Sequence, residues 1–282
     1  MEKYIFVSDM FEEQYIGGAE KTTEAIIEPK RSVIAKINSH AVTKEIIENN
    51  TDKKWIFCNF ANLENKLKIL ICKKLDYSIV EYDYKFCKYR SVEKHRIVEK
   101  KDCDCVETNL GKINLAFYGY AKKVWFMSNK QRSIFFNYVN TIKEEKTEVL
   151  SSMFKKGDLF FINSIRANEK NDKYIILDSS SWIKGTQDCV QYAKENNLNY
   201  ELVKNLPYHE LLIKLSCSKG LIFRPLGGDT CPRIVIEAKL LGCDLKLNDN
   251  VQHKDEEWFS KDHDHCLNYL NTRAEKFWSC YE

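Results

Sequence analysis

Short apolar runs alternate with amphipathic stretches along the whole chain. Nine runs have the length of strands, are rich in Ile, Val, Phe and Tyr, and are typical of strands buried on both faces. They cover residues 3–9, 31–37, 53–60, 77–84, 122–128, 173–180, 199–203, 219–226 and 243–249. Helical patterns between them cover residues 19–27, 129–139, 186–197, 208–216 and 232–242. This alternation predicts βαβ units with parallel sheets and helices on both faces, which is a doubly wound α/β fold.

One charged stretch without a clear strand pattern, residues 141–157, interrupts the alternation. It predicts a boundary between two doubly wound halves, residues 1–150 and 151–282. A length of 282 residues suits one large or two small domains. The polar and aromatic segment 256–282 is predicted to be a helical tail of the second half.

Composition narrows the protein class. Hydrophobic residues make up 44% and charged residues 30%, which excludes a disordered chain or a coiled coil. A net charge of +3 is too balanced for binding nucleic acid through bulk charge alone. Eleven cysteines in a chain of this length indicate reduced thiols rather than a disulfide scaffold. The sequence begins without a signal-peptide pattern and has no apolar stretch of membrane-spanning length, so a cytoplasmic protein is expected.

Ligands of open α/β sheets bind beyond the carboxyl ends of the strands, so chemistry is expected in the loops that follow strands. Gly17 and Gly18 lie between the first strand and the first helix, where backbone amides suit a phosphate. They match neither the dinucleotide nor the Walker fingerprint, and an ordinary turn is the alternative. Lys184 and Gly185 precede a helix and could also meet a phosphate; an exposed lysine beside a capping turn is the alternative.

The Gly-rich loop RPLGGDTC precedes the last strongly patterned helix and is the most specific of the three loops. Pro232 and Gly242 have the residue types of a helix start and a helix end. Asp229 lies on the loop, Glu237 lies two turns into the helix, and Arg233 shares a face with Glu237. A single acid near a helix start often only complements the helix dipole. Two acids in this arrangement favour a ligand site.

Three motifs together resemble those of the family 4 glycosyltransferases. The segment from Asp229 to Gly242 is similar to their E-x(7)-E motif, with its glutamate–alanine pair and closing glycine. The sequence GGAE at 17–20 is similar to their G-G-A-E loop, and Lys184-Gly185 to the lysine–glycine pair of their donor domain. The resemblance implies a retaining GT-B glycosyltransferase, with two Rossmann-like domains whose parallel sheets face a cleft.

The resemblance also implies roles for individual residues. Glu237 would bind the ribose hydroxyls of a nucleoside-diphosphate sugar, Asp229 would bind the transferred sugar, and Lys184 would meet the diphosphate. Asp83 would border the acceptor, so Asp229, Lys184 and Asp83 are the candidate catalytic residues. The candidate donor-binding residues add the glycine loops and two arginines chosen for position and charge: Gly17, Gly18, Lys184, Gly185, Arg224, Gly227, Gly228, Asp229, Arg233 and Glu237.

Three positions depart from the family pattern. Asp229 replaces a glutamate, Ser179 stands where an arginine is usual, and Tyr82 stands where a histidine is expected before Asp83. Because of these departures, the resemblance does not identify which sugar is transferred or which acceptor receives it. No metal or other cofactor is expected, because Lys184 would serve the diphosphate and the Asp-x-Asp pairs of the chain are no more frequent than chance predicts.

Two sets of residues could bind a metal instead. Asp102 with Asp104 and Asp262 with Asp264 form Asp-x-Asp pairs, which other glycosyltransferases use for a divalent cation but which also arise by chance. A thiol-rich set has a spacing that fits no common zinc finger, so a structural thiol cluster is favoured over zinc. Its members are Cys87, His95, Cys103 and Cys105.

The most basic segment of the chain, residues 85–101, could grip an anionic acceptor such as DNA, although a solvated charged face is favoured. Some phage GT-B enzymes glycosylate hydroxymethylated cytosine, and a small Lys- and Asn-rich glycosyltransferase would suit such a source in a host cytoplasm. The acceptor is therefore expected to be a saccharide or a hydroxymethylated base in phage DNA. The competing interpretation is a catalytically inert module that binds nucleotides or polyanions on the same fold.

Overall fold

The computed structural model describes residues 2–281, and the chain forms two compact α/β units. The first unit contains the chain up to Met153 together with the segment that starts at Arg273. The second unit contains Phe154–Thr272.

Each unit is built on one fully parallel sheet. The strands of the first sheet are β1 (Tyr4–Ser8), β2 (Ile34–Asn38), β3 (Lys54–Phe57), β4 (Asp76–Glu81), β5 (Lys123–Phe126) and β6 (Thr147–Val149). Those of the second are β7 (Tyr174–Leu177), β8 (Tyr200–Val203), β9 (Gly220–Phe223) and β10 (Asp244–Leu247). The first sheet has the order β2-β1-β3-β4-β5-β6 and the second the order β10-β9-β7-β8. All their strand pairs are parallel, as the alternation in the sequence predicts.

Helices connect the strands in both units. They are α1 (Gly18–Ile27), α2 (Lys44–Glu48), α3 (Asn65–Lys74), α4 (Val92–Glu99), α5 (Asn109–Tyr120), α6 (Asn129–Phe136), α7 (Lys156–Ile165), α8 (Thr186–Glu195), α9 (Tyr208–Ser216), α10 (Arg233–Leu240), α11 (Glu257–Ser260), α12 (His263–Asn271) and α13 (Arg273–Trp278). None of the helices within residues 2–281 has both the length and the apolar character needed to cross a membrane.

The inner strands are buried on both faces, which explains their continuous apolar sequences. In β1, the adjacent side chains of Ile5, Phe6 and Val7 are all at most 1% exposed. Because successive residues of a strand point to opposite faces, this burial requires a layer of helices on each side of the sheet.

The second sheet brings two loops together. After β7 the chain adds β8 on one side, and it then returns to add β9 on the other side of β7. Tyr174 pairs with Gly220 and Ile175 with Leu221, so β7 and β9 are direct neighbours. The loops that follow them therefore meet at a reversal of strand order, which is the usual ligand position in open α/β sheets.

The sixth strand was not predicted from the sequence. Thr147–Val149 forms β6 at the edge of the first sheet, inside the segment predicted to lack a strand. Its central residue, Glu148, pairs with Lys123 at 2.8 Å and with Lys276. A three-residue edge strand with a charged centre has no apolar run, so the pattern that identifies the inner strands is absent here.

The sequence assigns the whole aromatic tail to the second half. Its last part, which contains α13, instead packs on the first unit, whereas α11 and α12 lie in the second unit. The indole of Trp278 in α13 donates to the carbonyl of Ile26 at 2.9 Å, and its ring lies 4.9 Å from that of Tyr4. The indole of Trp125 donates to the Tyr281 hydroxyl at 3.2 Å. These aromatic contacts join residues more than 100 positions apart, and no local sequence pattern reports them.

His253 is completely buried in the second unit among aromatic rings. Its ring stacks 5.9 Å from that of Trp258 and lies edge-on to Phe259 at 4.7 Å. Within the described residues neither ring nitrogen makes a hydrogen bond. Burial therefore lowers the pKa of His253 to about 3.

This burial makes folding sensitive to acid. The unfolded chain takes up a proton at His253 near pH 6.5, and the folded chain does so only near pH 3, so the free energy of unfolding falls as the pH drops between these values. At pH 5 the loss relative to neutral pH should be about 2 kcal/mol. Urea unfolding of the His253→Phe variant should lack this contribution, whereas the exposed His40→Gln control should keep it. Equal acid sensitivity in all three proteins would contradict the assignment.

Candidate functional site

The loop after β7 lies directly against the loop after β9. Gly185 has a left-handed backbone with φ of +60°, and a Cβ at this position would lie 2.2 Å from the carbonyl oxygen of Arg224. Only glycine meets both requirements. Thr186 anchors the start of α8 by donating its hydroxyl to the carbonyl of Leu177 at 2.8 Å. Lys184, directly before Gly185, therefore has a defined position at the carboxyl edge of the sheet.

An ion pair joins the two loops. Lys184 Nζ lies 2.9 Å from Asp229 Oδ2, with the side chains 32% and 14% exposed. The backbone of Asp229 is held on both sides, because its amide donates to Asn250 and its carbonyl accepts from Gln252. The ammonium group also lies 5.3 Å from the centre of the Phe223 ring. This arrangement offers a cation to a phosphate and a fixed carboxylate to a sugar hydroxyl.

A buried cluster of polar side chains surrounds the start of α10. Arg233 Nε lies 3.5 Å from Glu237 Oε1, and Arg233 Nη2 lies 3.5 Å from Asp158 Oδ2. Tyr208 donates its hydroxyl to Glu237 Oε1 at 2.9 Å. The guanidinium of Arg233 stacks 3.9 Å from the Phe154 ring. The structure thus brings Arg233 and Glu237 together, and it adds two polar partners from α7 and α9.

The electrostatics of this cluster keep its groups in defined states. Burial disfavours the charged form of Arg233, but Glu237 and its other partners outweigh burial and raise the pKa of the guanidinium. Burial raises the pKa of Tyr208, so its phenol remains a hydrogen-bond donor. Tyr208 and Asp158 could not be predicted from the sequence, because neither belongs to a motif and both come from other helices.

The remaining candidates of the second unit occupy the same loops. Arg224 Nε donates to Asp188 Oδ2 at 3.1 Å, and its guanidinium stacks 4.3 Å from the Tyr192 ring, so its side chain lies along α8. Gly227 and Gly228 lie between β9 and α10, directly before Asp229.

The glycine pair of the first unit begins a helix at the carboxyl edge of its sheet. Gly17 precedes the first residue of α1, Gly18, and its carbonyl accepts from the amide of Lys21 at 3.0 Å. The turn follows β1, which lies at the reversal of strand order between β2 and β3. The first amides of α1 are thus placed where a parallel sheet usually binds its ligands.

Asp83 belongs to a charged network beyond the end of β4. Lys85 Nζ lies 3.0 Å from Glu81 Oε1 and 3.3 Å from Asp83 Oδ1. Arg90 Nε donates to Asp83 Oδ2 at 2.6 Å, and Tyr118 donates to Glu81 Oε2 at 2.5 Å. Burial raises the pKa of Glu81. Burial acts in the same direction on Asp83, but Lys85 and Arg90 outweigh it and lower the pKa of that carboxyl.

Glu81 was not among the predicted site residues, although the sequence pattern contains a signal for it. Glu81 is the one charged residue at the end of the apolar run YSIV, and its side chain is fully buried. A carboxylate in a strand that is otherwise apolar indicates an ion pair or a functional group.

The two Asp-x-Asp pairs have local partners. Asp102 pairs with Arg96, and Asp104 pairs with Lys101. Asp262 caps α12 by accepting from the amide of His265 at 2.9 Å. Three of the four carboxylates thus have structural contacts of their own. The thiol-rich set, in contrast, does come together in one buried cluster.

Comparisons with known proteins show a likeness in structure alone. No protein-family model matches the sequence, and no curated protein sequence matches it either. HepE (Alr3699) from Anabaena, in complex with UDP-glucose, superposes with a TM-score of 0.59 at 11% identity, over 98% of this chain and 91% of that chain. AviGT4, a glycosyltransferase involved in avilamycin A biosynthesis, superposes with a TM-score of 0.52 at 7% identity, over 99% of this chain and 93% of that chain. OtsA superposes with a TM-score of 0.52 at 8% identity, over 99% of this chain and 98% of that chain.

At these identities the likeness concerns the fold. It extends over nearly the whole of each chain, including both parallel sheets. The protein has an α/β fold that matches the GT-B glycosyltransferases, as the motifs of its sequence predict.

Proposed function

We propose that the protein is a glycosyltransferase that moves a sugar from a nucleoside-diphosphate sugar to an acceptor hydroxyl, with retention at the anomeric carbon. The observation that carries the proposal is the ion pair between Lys184 and Asp229 at 2.9 Å. It lies where strand order reverses in the second sheet, on a fold like that of known glycosyltransferases. The resemblance of the sequence motifs to family 4 supports the same activity.

In the proposed reaction the bond between the anomeric carbon and the diphosphate breaks, and the bond from that carbon to the acceptor oxygen forms. The acceptor proton passes to a diphosphate oxygen on the same face of the sugar. Negative charge therefore grows on the diphosphate, and Lys184 stabilises it electrostatically. Asp229 accepts hydrogen bonds from the transferred sugar. Glu237, oriented by Arg233 and Tyr208, accepts from the ribose hydroxyls.

We further propose that no metal cofactor takes part in this transfer. Lys184 supplies the positive charge that a divalent cation would otherwise provide to the diphosphate. Asp102 and Asp104, one of the two candidate pairs for a cation, each pair with a basic side chain.

For the acceptor we propose a saccharide, with DNA that carries a hydroxymethylated base as the alternative. At least five of the seven lysines and arginines of segment 85–101 pair with a carboxylate, so the segment offers less free charge to a phosphate backbone than its composition suggests. The five are Lys85, Lys88, Arg90, Arg96 and Lys101. Binding of duplex DNA that weakens steeply with salt would decide for DNA.

A thermal-shift screen against nucleotide sugars tests the proposed function. UDP-glucose is the first donor to use, because HepE was crystallised with it. A donor should raise the melting temperature in proportion to the logarithm of its concentration, whereas free glucose should not. The bound donor should then lose its sugar slowly to water. Binding without hydrolysis or transfer would favour the inert nucleotide-binding module, and no binding by any nucleotide sugar would contradict both interpretations.

A further inference from the structure

The thiol-rich set of the first unit forms a closed cluster at a distance along the chain from the candidate donor residues. Cys87 lies in the loop after β4, His95 lies in α4, and Cys103 and Cys105 lie between α4 and α5. Their side chains are buried, with exposures from 1% to 6%. One nitrogen or sulfur atom from each residue lies within 4.8 Å of all the others.

Two distances in this cluster match those of a tetrahedral metal site. Zinc binds sulfur at about 2.3 Å and nitrogen at about 2.0–2.1 Å, which separates neighbouring ligand atoms by about 3.5–3.8 Å in a tetrahedron. His95 Nδ1 lies 3.5 Å from Cys105 Sγ and 3.8 Å from Cys87 Sγ. The cysteines are free thiols, so a disulfide does not account for their grouping.

Two further contacts support the ligands from outside the cluster. Asp104 Oδ1 lies 3.5 Å from His95 Nε2, the ring nitrogen that faces away from the sulfurs. This separation is too long for a hydrogen bond, but the negative charge of the carboxylate favours the Nε2–H tautomer and so leaves the Nδ1 lone pair for a metal. The amide of Lys88 donates to Cys105 Sγ at 3.4 Å, which stabilises negative charge on that sulfur.

We propose that Cys87, His95, Cys103 and Cys105 bind one structural Zn²⁺ ion. Three thiolates and one imidazole are a typical zinc donor set, whereas Mg²⁺ and Ca²⁺ require oxygen ligands. Four protein ligands in a buried cluster leave no open position for water or substrate, so the ion stabilises the fold and takes no part in chemistry.

The proposed ion has a defined task in this part of the fold. It ties the loop after β4 to α4 and to the segment before α5. Arg90, which pairs with Asp83, lies within that loop and has a left-handed backbone with φ of +55°. The metal thus acts as a positioning element that holds Arg90 in place, and Arg90 in turn holds the candidate acceptor residue Asp83.

Metal analysis of the full chain tests the proposal directly. After dialysis against excess zinc and then against metal-free buffer, the protein should retain one zinc ion per chain. Replacement by Co²⁺ should give thiolate-to-metal charge-transfer bands and the intense d–d bands of a tetrahedral site. Neither measurement requires a variant. A wild-type protein that retains no zinc and shows no such bands with Co²⁺ would overturn the proposal.

Variants locate the ion. Cys103→Ser and Cys105→Ser should retain less than a tenth of the zinc and lose the charge-transfer bands. The control Cys58→Ser removes another buried thiol of the same unit, outside the cluster. It should retain one zinc ion per chain, as the wild type does. Full zinc content in the two cluster variants would show that the metal lies elsewhere and would refute the assignment.

Discussion

The Lys184→Ala variant should transfer sugar at least about 100-fold more slowly than the wild-type protein, because removing one preorganised donor to a developing negative charge costs a factor of about 10²–10³. Lys184 is the cation of the 2.9 Å ion pair with Asp229, and a third of its side chain remains exposed to an incoming diphosphate. The measurement is kcat and KM for transfer from the donor that the thermal-shift screen identifies. Most of the loss should lie in kcat, since the charge grows as the glycosidic bond breaks.

Matched variants separate this role from a general loss of charge or stability. Lys194→Ala removes an exposed lysine from the last turn of α8 and should leave kcat/KM unchanged. The partly exposed ion pair contributes at most about 1 kcal/mol to stability, so Lys184→Ala should unfold at nearly the wild-type urea concentration. A folded Lys184→Ala protein that keeps kcat within a few-fold of wild type would remove this lysine from the proposed mechanism.

The Arg233→Met variant should be less stable than the wild type by about 3–5 kcal/mol, which is the cost of removing one partner from a buried ion pair. Arg233 and Glu237 are only 5% and 3% exposed, and Asp158 also faces the guanidinium. Methionine keeps much of the apolar stem, but it removes the guanidinium that stacks on Phe154 and leaves two carboxyl groups without their cation. Urea unfolding at neutral pH measures the loss.

A double-mutant cycle shows how much of this loss belongs to the pair. Arg233→Met combined with Glu237→Gln should regain part of the stability that Arg233→Met loses, since the buried negative charge is then removed as well. Lys261→Met breaks an exposed pair with Glu257 in the same unit and should change stability by no more than about 0.5 kcal/mol. If Arg233→Met costs no more than Lys261→Met, the buried pair does not stabilise the second unit.

The sequence could predict the parts of the site that follow from strand patterns. Lys184 and Asp229 each lie in a loop after an apolar run, and parallel strands bring such loops to one edge of a sheet. Their contact also required β7 and β9 to be neighbours, which the pattern of runs does not reveal. The family resemblance implied only that both residues serve one donor site.

Other parts depend on packing between distant segments. Tyr208 in α9 and Asp158 in α7 contact residues near the start of α10. A single tyrosine or aspartate outside any motif has no sequence pattern that predicts such a contact. The sequence also suggested a cluster of the three cysteines with His95, but their irregular spacing does not predict the short distances between the ligand atoms. Those distances depend on how α4 folds back toward the loop after β4.

The return of α13 to the first unit affects the order in which the chain can fold during synthesis. Residues 154–272 are all synthesised before Phe277 and Trp278, and the first unit lacks these two aromatic side chains until then. Trp125, Tyr4 and Phe6 remain without their aromatic partners during that interval. Nascent chains of this protein therefore depart from the usual order in which the N-terminal domain is finished first. A truncation before Arg273 damages the unit that begins the chain, although the deleted residues lie at the opposite end of the sequence.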